Sequence, residues 1–142
     1  MANNDYHKHF TGQIAQKAFI EKDGKVLLVQ YPEGDSAAGL WDLPGGRLHE
    51  GETPKEGLKR EVLEEIGAPI VVKEILGTGV NIVRSDFKFY YVIYRASLVD
   101  PSQELVPEQG EIGTIEWKPK AEFLTLPAIY VGYADILRPY LA

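Results

Sequence analysis

One stretch limits what this chain can fold into more than any other: residues 45–68, which read GGRLHEGETPKEGLKREVLEEIGA. Its middle is a helix with both ends marked. Thr53 is placed to cap it, Pro54 sits at the first helical position, and Glu56 is spaced to close a capping box with Thr53. Gly67 supplies the stop, because glycine accepts the left-handed conformation in which many helices end. With roughly 100° of turn per residue, Leu58, Val62 and Ile66 align as one apolar stripe, and Glu61, Glu64 and Glu65 fall together on the neighbouring face. Such a helix needs an apolar surface to lie on, and the rest of the chain must supply it.

The flanking segments read as strands. Residues 13–22 favour a strand, Asp23-Gly24 is a two-residue hairpin turn, and residues 25–30 return as a second strand. Residues 26–29 are apolar at both parities, the pattern of a strand inside a sheet covered on both faces. Residues 31–40 form a loop rich in Gly, Pro, Asp and Ser, and Trp41 after it reads as a core anchor ahead of a base-stacking wall. Beyond the helix, residues 70–76 and 80–83 are two strand-like runs and 84–86 turn. Residues 87–96, FKFYYVIYRA, make the longest strand candidate, bulky at both parities. Tyr90, Tyr91 and Tyr94 are assigned to core and cross-strand packing rather than to stacking on a base. A polar loop over 100–110 carries Glu104 and Glu108, with Glu111 just beyond, and precedes a short strand over 113–118. A last helix is expected from near Pro127, with Ile129, Tyr133, Ile136, Leu137 and Tyr140 at helical spacing. This order gives an α/β fold of helices layered on a sheet. At 142 residues and 44% hydrophobic content it is expected to form one domain over 1–142.

Composition excludes several partner classes. A net charge of −6 leaves no broad basic face for a nucleic-acid polymer, which requires several clustered Lys or Arg. A small nucleotide stays open, because a divalent cation between carboxylates and phosphate oxygens lets an acidic site hold phosphate. With no cysteine there is no disulfide, thiolate metal site or cysteine nucleophile, which suits a reducing cytoplasm. The first ten residues, MANNDYHKHF, lack the apolar centre of a signal peptide, and no later run is long enough to span a bilayer. A soluble cytoplasmic protein is therefore expected. His7 and His9 lack a third ligand at metal-binding spacing.

The acidic helix face needs a reason. Glu61 and Glu65 are like charges at i, i+4, a placement that costs roughly 0.2–0.5 kcal/mol. A solvated surface is the plain reading. The sharper one is that three carboxylates within one turn offer hard oxygen ligands to Mg²⁺ or Mn²⁺, which would cancel the repulsion. Gly46 fits that reading, since a residue without a side chain lets its carbonyl approach as a further oxygen ligand. Glu52 and Arg60 are spaced to tie the preceding loop to the helix by an ion pair.

Gly46, five residues, Glu52, seven residues, Arg60-Glu61-Val62, one residue, Glu64-Glu65, one residue, Gly67-Ala68: this ladder resembles the Nudix box of the Nudix hydrolase family. Residues 41–45, WDLPG, resemble the family's lead-in, and Ala68 departs only in being smaller than the usual aliphatic. The resemblance implies an α/β/α sandwich with a central mixed sheet. It also implies metal-dependent hydrolysis of the pyrophosphate bond in a nucleoside diphosphate linked to another moiety. Carried over position by position, it makes Glu61, Glu64, Glu65 and the Gly46 carbonyl ligands of Mg²⁺ or Mn²⁺, with Glu52, Arg60 and Gly67 shaping the site. The general base it implies is either Glu61 or a glutamate of a later loop, Glu108 or Glu111, with Glu111 preferred.

The substrate is read by residues outside the box. Family branches for ADP-ribose and for dinucleoside polyphosphates often place a proline or a tyrosine after it, and residues 80–88 hold neither. Members that act on the nucleotide pool often carry a basic residue near the end of the second strand, where this chain has Gln30 and Tyr31. Arg47, Arg84 and Lys88 are the alternative sources of that charge and, with Tyr31, the candidate substrate contacts. The expectation is a pyrophosphohydrolase of nucleoside triphosphates or related small nucleotides, a monomer or a homodimer. Cleavage of ADP-ribose or a nucleotide sugar is the alternative within the family. A nucleotide-binding module without turnover is the alternative of another class.

Overall fold

The computed structural model describes residues 9–127 and 132–142. β1 (Gln13–Lys22) and β2 (Lys25–Gln30) form a hairpin, and the two residues between them take positive φ, 52° at Asp23 and 77° at Gly24. Two consecutive left-handed residues are what a tight hairpin turn requires. β1 is the strand on which the others are registered. It pairs in parallel with β6 (Phe87–Leu98) from Gln13 to Ile20. Its other edge is shared: Ala15, Gln16 and Lys17 face the short strand β4 (Gly45–Arg47), and only Glu21 and Lys22 face β2. β2 in turn pairs with β3 (Trp41–Asp42) and β7 (Thr114–Pro119), and β5 (Ile70–Arg84) lies along the far side of β6. The product is a seven-stranded mixed sheet, forked just after Lys17.

Side chains sort by parity onto two covered faces, as strands with a period of two require. On one face lies α1 (Pro54–Ile66), whose Leu58, Val62 and Ile66 are fully buried against Ala18, Ile20, Leu27, Val29, Val92 and Tyr94. Each such side chain contributes on the order of 1.5–3 kcal/mol by leaving water. On the other face Phe19, Val26, Leu28, Trp41, Leu43, Tyr91 and Ile93 are covered by Phe123, Tyr133 and Leu137. Phe123 comes from a 3₁₀ turn at Lys120–Thr125, and the other two from α2 (Tyr133–Leu137). These layers make the expected α/β/α sandwich. Trp41, Tyr91 and Tyr94 are core residues, whereas Tyr90 is 40% exposed.

Two segments differ from the sequence expectation. The runs 70–76 and 80–83 are one strand, β5, with register shifts between Val72 and Ile75, Ile75 and Gly77, and Ile82 and Arg84. Gly77 and Gly79, which read as a break, admit neighbours instead. A Cβ on Gly77 would come 2.5 Å from Ile136 Cγ2, and one on Gly79 would strike the Tyr91 hydroxyl. The last helix was expected from near Pro127, and residues 128–131 lie outside the described residues. α2 has five residues and continues as a 3₁₀ turn over Arg138–Tyr140, where Pro139 has no N–H to extend an α-helical ladder. Ile129 lies outside the described residues. Among the described residues no helix is long and apolar enough to cross a membrane.

Candidate active site

A cleft of about 640 Å³ opens where β1, β4 and α1 meet the loop after β2, the β5–β6 hairpin and the loop before β7. One wall is acidic and comes from α1. The helix is capped as its sequence specifies. The Thr53 hydroxyl accepts from the Glu56 N–H (3.2 Å), the Glu56 carboxylate accepts from the Thr53 N–H (2.8 Å), and Gly67 closes the helix at φ 72°. With the stripe of Leu58, Val62 and Ile66 turned into the core, Glu61, Glu64 and Glu65 line the cleft together.

Arg60 organises this wall. Its Nε and Nη2 donate to Glu52 Oε2 and Oε1 at 2.6 and 3.0 Å, its Nη2 also reaches the Arg47 carbonyl at 3.2 Å, and its Nη1 donates to Glu61 Oε1 at 2.9 Å. Glu64 Oε1 lies 3.3 Å from the same Nη1. The Arg60 guanidinium, aided by the His49 N–H, holds the Glu52 carboxyl down at about 2. The loop before α1 is thereby fixed to the helix. Arg60 engages Glu61 and Glu64, and among the described residues no three acidic, imidazole or thiol groups are placed to hold a metal ion.

The glycine pair faces the same wall. Gly45, at φ 140°, donates its N–H to Glu65 Oε1 at 2.7 Å, and a Cβ there would strike the Gln16 carbonyl. Gly46 packs against the next carboxylate, so that a Cβ would stand 2.5 Å from Glu61 Cδ. Glu65 is only 8% exposed. Burial pushes its carboxyl up to about 8, against the pull of the Lys17 charge and the Gly45 N–H.

Glu108 and Glu111 come from more than forty residues away along the chain, and the end of α1 brings them in. The last carbonyls of a helix have no partner within it. Here Val106 N–H donates to Ile66 O (2.9 Å), Glu108 N–H to Glu65 O (3.0 Å), and Gln103 Nε2 to Gly67 O (2.8 Å). The Glu108 carbonyl then accepts from Glu111 N–H (3.1 Å) and Ile112 N–H (2.9 Å). Both glutamates line the cleft. Partial burial, and then the charges of Glu64, Glu111 and Glu61, raise the Glu108 carboxyl.

The floor and far wall were not legible in the sequence. Lys17 is buried at the floor, its Nζ 2.9 Å from Asp42 Oδ2, and the Tyr31 hydroxyl donates to that same oxygen at 2.7 Å. Burial opposes the Lys17 charge, but Asp42, Tyr31 and Glu65 together outweigh it and hold the ammonium above the usual lysine range. Tyr31, largely buried, has its phenol pushed up by desolvation. Val83, Phe87 and Phe89 make the far wall apolar, the two rings meeting edge to face at 4.6 Å. Asp35, Ser36 and Ala37 of the loop after β2 form part of the rim. The signals available were a lysine at mid-strand directly before the apolar run Ala18-Phe19-Ile20, and two phenylalanines of equal parity at a strand start.

Among the expected substrate contacts, Arg47 and Tyr31 line the cleft. The Arg47 guanidinium lies 5.9 Å from the Phe87 ring and donates to Gln13 Oε1 at 3.0 Å. Arg84 is outside the lining: it pairs with Asp86 at 2.8 Å and rests 5.0 Å from the Phe87 ring. Lys88 points to a separate groove beside Gly12, Gln13 and Asp86. His9 is exposed, and His7 lies outside the described residues.

Fold and cleft define a layered α/β protein with a carboxylate wall on one helix and a glycine strap against it. The NUDIX domain model matches residues 14–138, and the chain belongs to the Nudix hydrolase family. It is 33% identical over 98 residues to an 8-oxo-dGTP diphosphatase of Proteus vulgaris, a match covering 68% of this chain and 84% of that one. It is 41% identical over 61 residues to a CTP pyrophosphohydrolase of Escherichia coli, over 43% of this chain; the match spans 45% of that protein, less than half of its length. Among solved structures it is similar to a MutT protein from Methanosarcina mazei, with a TM-score of 0.76 and 27% identity over 90% of this chain and 91% of that one.

Proposed function

We propose that this chain is a divalent-metal-dependent pyrophosphohydrolase of nucleoside triphosphates or related small nucleotides. The observation that carries the reading is the division of one cleft into an acidic wall, Glu61, Glu64, Glu65, Glu108 and Glu111, and an apolar aromatic wall, Phe87 and Phe89. The first suits the phosphate end of a nucleotide through a cation, and the second suits its base. Relatives named for 8-oxo-dGTP and CTP support the nucleotide class.

By chemistry, though not by the spacing the side chains take while Arg60 engages two of them, the donors suit Mg²⁺ or Mn²⁺. Glu61, Glu64, Glu65 and the Gly46 carbonyl are hard oxygen donors, and the space a Gly46 Cβ would fill is where the Glu61 carboxylate lies. Such a cation, when bound, polarises phosphoryl oxygens and makes water a stronger nucleophile at neutral pH. The chain's own residues do the rest. Glu52 and Arg60 keep the loop and helix in register, Arg47 offers a positive charge beside the aromatic wall, and Glu111 takes the proton from the attacking water. Glu108, raised by partial burial and then by its acidic neighbours, lines the same cleft and is the alternative base.

A nucleotide panel incubated with Mg²⁺ or Mn²⁺, with products separated by anion-exchange chromatography, tests the reading. Nucleoside triphosphates are expected to yield monophosphate and pyrophosphate, and Glu64→Gln to lose turnover. Two monophosphates from ADP-ribose, with no pyrophosphate from any triphosphate, would assign the alternative substrate class. Tight nucleotide binding without any product would assign a binding module.

A further inference from the structure

We infer that Lys17 is a positioning residue of this site: its ammonium clamps the carbonyls on both sides of the Pro44–Gly45 peptide and so fixes the strap that anchors Glu65 and presents Gly46. The contacts are explicit. Lys17 Nζ donates to Leu43 O and to Gly45 O, each at 3.3 Å, and to Asp42 Oδ2 at 2.9 Å, which uses all three of its protons. Between the two clamped carbonyls lies the Gly45 N–H that donates to Glu65 Oε1. The Gly45 carbonyl belongs to the peptide unit that leads into Gly46. One side chain therefore sets two peptide planes of the strap where β4 leaves the β3 end of the fork.

An ion pair alone does not account for a lysine in this place. Lys17 is 4% exposed and Asp42 3%, and a buried pair is often no more stabilising than an apolar pair of the same volume. The two carbonyls are what an apolar residue could not hold. Tyr31 completes the brace from the other side by donating to the same Asp42 oxygen that Lys17 holds. Groups that orient ligating residues from behind typically matter 10–100-fold in metal affinity. The consequence for metal rests on the function proposed above, whereas the clamp itself does not.

Lys17→Met and the charge-balanced double variant Lys17→Met/Asp42→Asn separate the roles. The single variant leaves Asp42 unpaired in the interior and is expected to melt well below the parent. The double variant, which keeps an acceptor for Tyr31, is expected to recover most of that loss. Mn²⁺ affinity, read by electron paramagnetic resonance without substrate, is expected to stay about 10–100-fold weaker in both. The Gly45 amide is expected to exchange with solvent faster in the double variant. Mn²⁺ affinity within about twofold of the parent, or undiminished Gly45 protection, would overturn the clamp. If the parent chain itself bound no Mn²⁺, the proposed function would fail and Gly45 exchange would still decide the clamp. Should neither variant fold, nitrogen-15 spectra of the parent decide it: a slowly exchanging Lys17 ammonium signal supports the clamp, and a rapidly exchanging one overturns it.

Discussion

Among the cleft carboxylates, Glu65 is the one whose ionisation burial changes most. Its carboxyl titrates near 4.5 when solvated and is pushed up to about 8 in the fold, chiefly by desolvation. The folded chain therefore keeps a proton that the unfolded chain gives up between those two values. Stability from this group is fully present below about 4.5 and is lost as pH rises through about 8. At about 1.4 kcal/mol per unit, the loss is on the order of a few kcal/mol. In chelator, the melting temperature by calorimetry is expected to fall from pH 5.5 toward pH 9, and Glu65→Gln to flatten that slope. Glu52 acts in the opposite sense: Arg60 lowers its carboxyl to about 2, so its contribution is present above the solvated value of 4.5 and is lost as pH falls through about 2. Glu108 and Glu111 are the two candidate bases of the later loop. Removal of a general base costs about 10²–10⁴-fold in rate. Glu111→Gln is expected to fall in that range in kcat and Glu108→Gln to fall much less, with steady-state kinetics at neutral pH as the check. Equal losses, or a larger one at Glu108, would reverse the assignment.

At the scale of elements, β4 holds two glycines that do different things. A methyl on Gly45 meets backbone, the Gln16 carbonyl and Lys17 Cα, at a φ that strains any side chain. A methyl on Gly46 meets only the end of the flexible Glu61 side chain. Gly45→Ala is expected to unfold the chain or lower its melting point severely. Gly46→Ala is expected to stay within about 1 kcal/mol of the parent, the size of an ordinary tolerated substitution, while displacing Glu61 and weakening Mn²⁺ binding. Comparing melting curves with metal titrations of the two variants checks the contrast. The same elements mark what the sequence discloses. α1 was legible down to its caps because Thr53, Pro54, Glu56 and Gly67 act on backbone groups within one turn, and the β1–β2 hairpin for the same local reason. Lys17 with Asp42 was not legible, since neither their 25-residue separation nor their burial can be read from spacing. Lys88 illustrates parity: it alternates with Phe87 and Phe89, so one residue of offset turns it away from the cleft that they line. β5 was read as two runs because Gly77 and Gly79 look like punctuation until Ile136 and Tyr91 are seen to lie over them.

For the whole molecule, the fork after Lys17 gathers the cleft. β1 leaves β4 for β2 there, so the α1 carboxylates approach from one face of the sheet while Phe87 and Phe89 approach from the other. Packing and the hydrogen bonds at both ends of α1 hold these walls, and the negative charge gathered between them opposes both: Glu61, Glu64, Glu108 and Glu111 share a cleft in which Arg60 engages only Glu61 and Glu64. A cation bound there adds its binding free energy to the folded state alone. At a free Mn²⁺ concentration about a hundredfold above its dissociation constant, that addition is about 2.7 kcal/mol. For a chain of this length it corresponds to a rise of roughly 8 °C in melting temperature. The rise is expected to reverse on addition of a chelator and to vanish in Glu61→Gln/Glu64→Gln, whose metal-free form should melt at or above the parent's temperature because two like charges have been removed. A metal-induced rise that survived in the double variant would place the stabilising ion elsewhere in the molecule, and with it the chemistry assigned to α1.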